Sequence, residues 1–106
     1  LPSEALTQKV VAAFAAQGIA GNFYWYSNNW HYISKWDHLK NAAFMNHLHP
    51  DHKAQIIHHA TKSFAQSDAI MSRCISSAIS IGWTEEQVKE RASAMANAIK
   101  SVLQSN

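Results

Sequence analysis

The 106 residues contain one cysteine, two prolines, three glycines and few charges, with Asp, Glu, Lys and Arg making up 15% of the chain. Each scarcity excludes something. With Cys74 alone, no disulfide can form within the chain, and a disulfide-stapled secreted scaffold is ruled out; a reducing, cytoplasmic setting is the expectation. Two prolines and three glycines leave no room for a low-complexity linker or a collagen-like repeat. No apolar run approaches the roughly 18 residues of a membrane-spanning helix, and no signal-peptide pattern opens the chain. The net charge of +2, with no run of Lys or Arg, gives no footprint for nucleic acid or for a lipid surface.

What is present is a folded globule's composition, 47% hydrophobic, in a length that suits one small domain with a modest core over residues 1–106. Ser3 is placed to cap a helix, with Glu4 in its first turn. Leu6, Val10, Val11 and Phe14 recur at helical spacing and Gly18 stands where a terminating glycine belongs, so a helix is expected from about Glu4 to Gln17. Ile19 to Tyr26 alternates as a strand, with Phe23 and Trp25 on a core face, Tyr24 and Tyr26 opposite, and Ser27-Asn28-Asn29 as the turn that ends it. Trp30 to Leu48 is irregular, with a helical turn around Asp37 to Phe44.

Pro50 and Asp51 open a helix running to about Ala65, followed by a short turn capped by Ser67-Asp68 that extends through Met71 and Arg73. Ile75, Ser77, Ile79 and Ile81 alternate with Ser76, Ala78 and Ser80 as a second strand with one buried face, and Cys74 enters it as a small core residue. Gly82-Trp83 turns the chain. Thr84-Glu85-Glu86-Gln87 is a capping box that opens a last helix, whose apolar stripe is Val88, Ala92, Met95, Ile99, Val102 and Leu103.

These elements make a two-layer α+β domain of the α/β type, with helices packed on a short, incomplete sheet. Two strands alone make a poor sheet, so a third is expected just upstream of Leu1, from a neighbouring chain or from within the excursion. Leu1-Pro2-Ser3-Glu4, with no initiator Met, reads as the lead-in to a helix and as part of a longer chain.

Two segments carry a family resemblance. Gly18-Ile19-Ala20-Gly21-Asn22-Phe23-Tyr24-Trp25-Tyr26-Ser27-Asn28-Asn29-Trp30-His31-Tyr32-Ile33 resembles the stretch after the first small-domain helix of the DegT/DnrJ/StrS sugar aminotransferases. Ser67-Asp68-Ala69-Ile70-Met71-Ser72-Arg73-Cys74-Ile75-Ser76, with Trp83-Thr84-Glu85-Glu86-Gln87-Val88 after a strand, resembles that family's closing turn, strand and final helix. The likeness is nearest to the branch holding the GDP-keto-deoxymannose dehydrase and the aminotransferase for an eight-carbon amino sugar acid.

The resemblance implies the C-terminal small domain of a homodimeric, fold-type I (aspartate-aminotransferase-like) enzyme that uses pyridoxal phosphate (PLP) on a keto-sugar in cell-surface polysaccharide or lipopolysaccharide sugar biosynthesis. It also implies a missing large domain that holds the cofactor through a lysine, or has a histidine in the lysine's place. This chain supplies no catalytic and no cofactor-binding residue on that reading. It contributes the loop from Tyr24 to Tyr32 to the substrate end of the pocket, with His31 nearest to the family's histidine, though the prolines of the common loop are absent.

The substrate-binding residues expected are Asn22, Tyr24, Tyr26, Trp30, His31 and Arg73. Flat aromatic faces suit a sugar ring, amides match its hydroxyls, and a guanidinium can clamp a carboxylate or phosphate. Each has a plainer reading: Trp30 as core, and Arg73 as a surface ion pair with Asp68 or Glu85. Two other functions compete. One is a free-standing metal- or carbohydrate-binding module, because His47, His49, Asp51, His52, His58 and His59 cluster without a recognised zinc spacing. The other is an interaction domain that offers an open sheet edge to a partner.

Overall fold

The computed structural model describes residues 1–28 and 32–105. The chain is mostly helical with one small antiparallel sheet, and it divides into two compact units. The first comprises Leu1–Tyr24 and Ser72–Asn106, and the second Trp25–Met71.

In the first unit, helix α1 spans Glu4–Ala16. Ser3 caps it as expected: its hydroxyl accepts from the Leu6 amide at 3.3 Å, while its carbonyl accepts from the Thr7 amide and from the buried Thr7 hydroxyl. The helix stops at Gly18, whose φ of 68° is left-handed. There the Ile19 amide reaches back to the Phe14 carbonyl at 2.9 Å and the Gly18 amide to the Ala15 carbonyl at 3.1 Å. This Schellman motif folds Ile19 onto Phe14, and both side chains join Val10 and Ala98 in the unit's core.

Helix α5, Glu85–Gln104, opens on the expected capping box. The Gln87 amide donates to the Thr84 hydroxyl at 3.3 Å, and the Thr84 amide donates to the Gln87 side chain at 2.9 Å. Its central stripe, Met95, Ile99 and Val102 around the buried Ala98, packs on α1. The stripe's ends, Val88 and Leu103, stay exposed. A 20-residue helix is about 30 Å long and the 13 residues of α1 cover only about 20 Å of it.

Both predicted strands are real but far shorter than the alternation implies. Strand β1 is Asn22–Phe23 and strand β2 is Ser76–Ser77, paired antiparallel with Asn22 opposite Ser77 and Phe23 opposite Ser76. At the start of β1, Gly21 is left-handed with φ 71°, and the Asn22 side-chain amide donates to the Ile19 carbonyl at 2.7 Å, so a tight turn takes the residues expected to extend it. At its other end, Trp25–Ser27 coil into a 3-10 turn. Phe23, expected in the core, is 41% exposed. Beyond Ser77, β2 has no facing residues on β1, and Ile79 (85% exposed) and Ile81 leave the sheet for solvent. Cys74, expected in the core, is exposed as well.

The second unit is built from short helices: α2, Asp37–Asn41; α3, Pro50–Ala60; and α4, Ala65–Met71. Helix α2 packs on α3, and α4 packs on the Trp25–Ser27 turn. Tyr32, Ala42, Met45 and Ala60 are its buried apolar residues. Pro50 occupies the first turn of α3 as expected, and His49 caps it through Nδ1, which accepts from the Asp51 amide at 3.3 Å. The helix ends at Ala60, short of the expected Ala65, and the Thr61 hydroxyl donates to the Ile57 and His58 carbonyls at 2.9 and 3.2 Å. Ser67 and Asp68, expected to cap α4, lie within it, and the Asp68 amide donates to the Phe64 carbonyl at 2.8 Å.

Candidate functional site

Of the six residues expected to bind substrate, Asn22, Tyr24 and Arg73 fall in the first unit and Tyr26 in the second; Trp30 and His31 lie outside the described residues. The Tyr24 hydroxyl donates to the Ser72 carbonyl at 2.8 Å. That bond ties the residue after β1 to the residue after α4, across 48 positions of sequence. Asn22 is occupied by its own chain: its NH₂ serves the Ile19 and Ala20 carbonyls, and its Oδ1 accepts from Arg91 Nη2 at 3.5 Å. Arg73 is exposed, and its carbonyl accepts from the Leu1 nitrogen at 2.9 Å.

Arg91 is the organising residue that sequence reasoning missed. Its Nη2 donates to the Ala20 carbonyl at 2.7 Å and to the Ser77 hydroxyl at 3.0 Å, bridging the β1 turn, β2 and α5. Its guanidinium lies 5.1 Å from the centroid of the Trp83 ring, over the ring face. A cleft of about 360 Å³ opens beside it, lined by Gln17, Ile19, Trp83, Gln87 and Glu90 among others. Arg91 sits on a helix face that reads as solvated, and its partners are up to 71 positions away, so no local pattern announces it.

The second unit assembles a polar aromatic cluster. The rings of Tyr26 and Tyr32 are 5.2 Å apart, and Lys35 Nζ lies 4.8 Å from the Tyr26 centroid. Tyr32 is buried, with its hydroxyl donating to the Asp68 carboxylate. Burial, then the hydrogen bond and negative charge of Asp68, push the Tyr32 hydroxyl up to about 12, with Tyr26 adding in the same direction and Ser34 opposing. Tyr32 is therefore a neutral hydrogen-bond donor at physiological pH, not a proton acceptor. The two rings are tilted by 52° to each other, and the Lys35 cation lies over the Tyr26 ring.

Among the described residues two histidine pairs come together. The rings of His49 and His52 are 5.9 Å apart and those of His58 and His59 are 5.5 Å apart. Among the described residues no group of three or more His, Cys, Asp or Glu is disposed to hold a metal ion. Among them, too, no helix is long and apolar enough to cross a membrane. No family model matches the chain.

Proposed function

We propose that this chain is the C-terminal small domain of a PLP-dependent enzyme that aminates or dehydrates a keto-sugar, and that it is inactive alone. The observation that carries this reading is that parts of the two resembling segments, residues 18–24 and 72–76, meet in the first unit. Asn22 pairs with Ser77, Phe23 with Ser76, and the Tyr24 hydroxyl holds the Ser72 carbonyl. Segments more than 50 residues apart in sequence thus form one sheet between α1 and α5, in the element order that the resemblance implies.

The exposed apolar surface of this unit supports the same reading. Phe23, Ile79, Ile81 and Val88 stand in solvent while its buried core is four residues. Faces of this kind are what a larger domain or a second subunit covers. On this reading the cofactor's electron-sink chemistry belongs to the large domain. The small domain supplies aromatic and amide groups to the sugar.

The intact mass and visible absorption of the native gene's product test this. A yellow product several times heavier than 11.8 kDa is expected. A colourless product of 11.8 kDa that binds one metal ion per chain overturns the proposal in favour of a histidine-rich binding module. A yellow, active preparation of this chain alone refutes the claim that it is inactive without its parent.

A further inference from the structure

Arg91 carries a positive charge that has no ion-pair partner among the described residues. A guanidinium stays charged at any physiological pH, and taking a charge partly out of water is costly unless a counter-charge meets it. Arg91 is half-buried on α5. The acceptors that it has are neutral: the Ala20 carbonyl, the Asn22 side chain and the Ser77 hydroxyl, all reached from Nη2. Among the described residues the N–H groups on Nε and Nη1 therefore meet no acceptor. An anion can take them in charge-assisted hydrogen bonds.

The guanidinium is also fixed in place. Its Nη2 bonds tie it to the Ala20 turn and to β2, and the Trp83 ring lies 5.1 Å away at its face. An anion that binds it has no flexible side chain to order, which lowers the entropic cost of binding. Arg91 and Trp83 together wall two clefts. One, of about 360 Å³, carries the side chains of Gln17, Gln87 and Glu90. The other, of about 260 Å³, has Ile79, Val88, Ala92 and Met95 on its walls.

We propose that Arg91 and this second cleft bind a small organic monocarboxylate with an aliphatic body. The carboxylate takes the guanidinium, and the aliphatic chain lies against Ile79, Val88 and Met95. Burial of apolar surface favours that placement, because Ile79 and Val88 otherwise stand in solvent. Charge selects the class of anion. A single negative charge balances Arg91, whereas the second charge of a phosphate would face Glu90 across the neighbouring cleft, with Glu85 and Glu86 in the first turn of the same helix. The site lies wholly in the first unit and does not depend on the sugar-enzyme reading.

The test titrates hexanoate, its neutral analogue hexanamide and inorganic phosphate separately into the isotopically labelled chain. Nuclear magnetic resonance follows the Arg91 Nε–H, the Trp83 indole N–H and the backbone amides of Ile79 and Val88. Hexanoate is expected to shift all of them saturably. Hexanamide should bind about tenfold or more weakly, the difference that a hydrogen bond to a charged group makes. Glu90→Gln leaves every Arg91 contact in place, and it should tighten hexanoate about twofold at low salt without changing hexanamide. Hexanamide binding as tightly as hexanoate, or phosphate binding more tightly, overturns the ligand class. An unchanged hexanoate affinity in Glu90→Gln overturns the charge argument. Shifts at Arg91 without shifts at Ile79 and Val88 overturn the placement of the aliphatic chain, and no saturable shift overturns the site.

Discussion

The two units of this chain are held together by different physics. The first is organised by two well-capped helices that meet on Val10, Phe14, Ile19 and Ala98. Among the described residues the second has no helix longer than the 11 residues of α3, and its most distinctive interaction is the hydrogen bond between Tyr32 and Asp68. Helices of such length are marginal without tertiary support, so the second unit depends more heavily on a few specific polar contacts. One unit is a scaffold built from local rules. The other gathers aromatic and charged side chains at a site, and it tolerates their desolvation because they satisfy one another.

Phe14→Ala is expected to have the largest effect. It empties the centre of the first unit's core and removes the side chain on which the Schellman motif closes Ile19. A loss of about 3–5 kcal/mol is expected, comparable to the stability of a small domain. Denaturant unfolding followed by far-ultraviolet circular dichroism measures it. A loss below about 1 kcal/mol would mean that this core does not hold the unit together.

Tyr32→Phe comes next and addresses the second unit. It leaves the Asp68 carboxylate without its hydroxyl donor, at a cost of about 1–3 kcal/mol. Amide exchange should rise across α4 and leave α1 and α5 unchanged. The pH dependence carries its own sign. The Tyr32 hydroxyl ionises at about 12 in the folded chain against 10.0 for a free tyrosine, so its contribution is whole below pH 10 and is lost as pH rises from 10 toward 12. In that window the unfolded chain releases the proton first. Tyr32→Phe should remove the decline that belongs to this group; an unchanged alkaline profile contradicts the role given to the pair.

The same division explains what was legible in the sequence. Elements that rest on local chemistry could be read: the Ser3 cap, the Gly18 stop, Pro50 in the first turn of α3 and the Thr84 capping box. Each is a contact within a few residues of its own signal. Elements that need a distant partner could not. Ile75 through Ile81 alternates faultlessly, yet β1 faces only Ser76 and Ser77, so the pattern outruns the pairing. A longer sheet would put Phe23 and Cys74 in the core, and with the pairing this short both are exposed. Among the site residues, Tyr24 could be named from its aromatic segment, but its attachment to Ser72 could not. Arg91, which bridges β2 and the Ala20 turn, carries no local mark at all.

Thr84→Ala tests whether the capping box matters as much as its regularity suggests. One backbone donor, the Gln87 amide, loses its partner, and about 1 kcal/mol should be lost, with fraying confined to the first turns of α5. The Gln87→Ala variant removes the reciprocal half and should cost less, since the Thr84 hydroxyl keeps its own bond. Exchange rates at Glu85 to Val88 separate the two. Equal fraying in both variants would make the box a single cooperative unit.

The smallest effect expected is that of Lys89→Gln, and it sharpens the contrast most. Lys89 and Glu85 pair at 2.6 Å one turn apart on α5, with both side chains more than two-thirds exposed. An exposed pair at this spacing contributes about 0.3–0.5 kcal/mol at low salt, because water screens the charges and two long side chains must be held still. At about 1 M salt the Debye length falls to about 3 Å, and the difference between the variant and the parent chain should vanish. The Tyr32–Asp68 contact is shielded from that screening by the burial of the tyrosine, so the cost of Tyr32→Phe should persist under the same conditions. Measured side by side in low and high salt, the two variants separate an interaction that decorates the scaffold from one that holds the aromatic cluster in place. If both effects faded together, the Tyr32 hydroxyl would be in exchange with solvent, and the second unit would owe its order to α2 and α3 rather than to this pair.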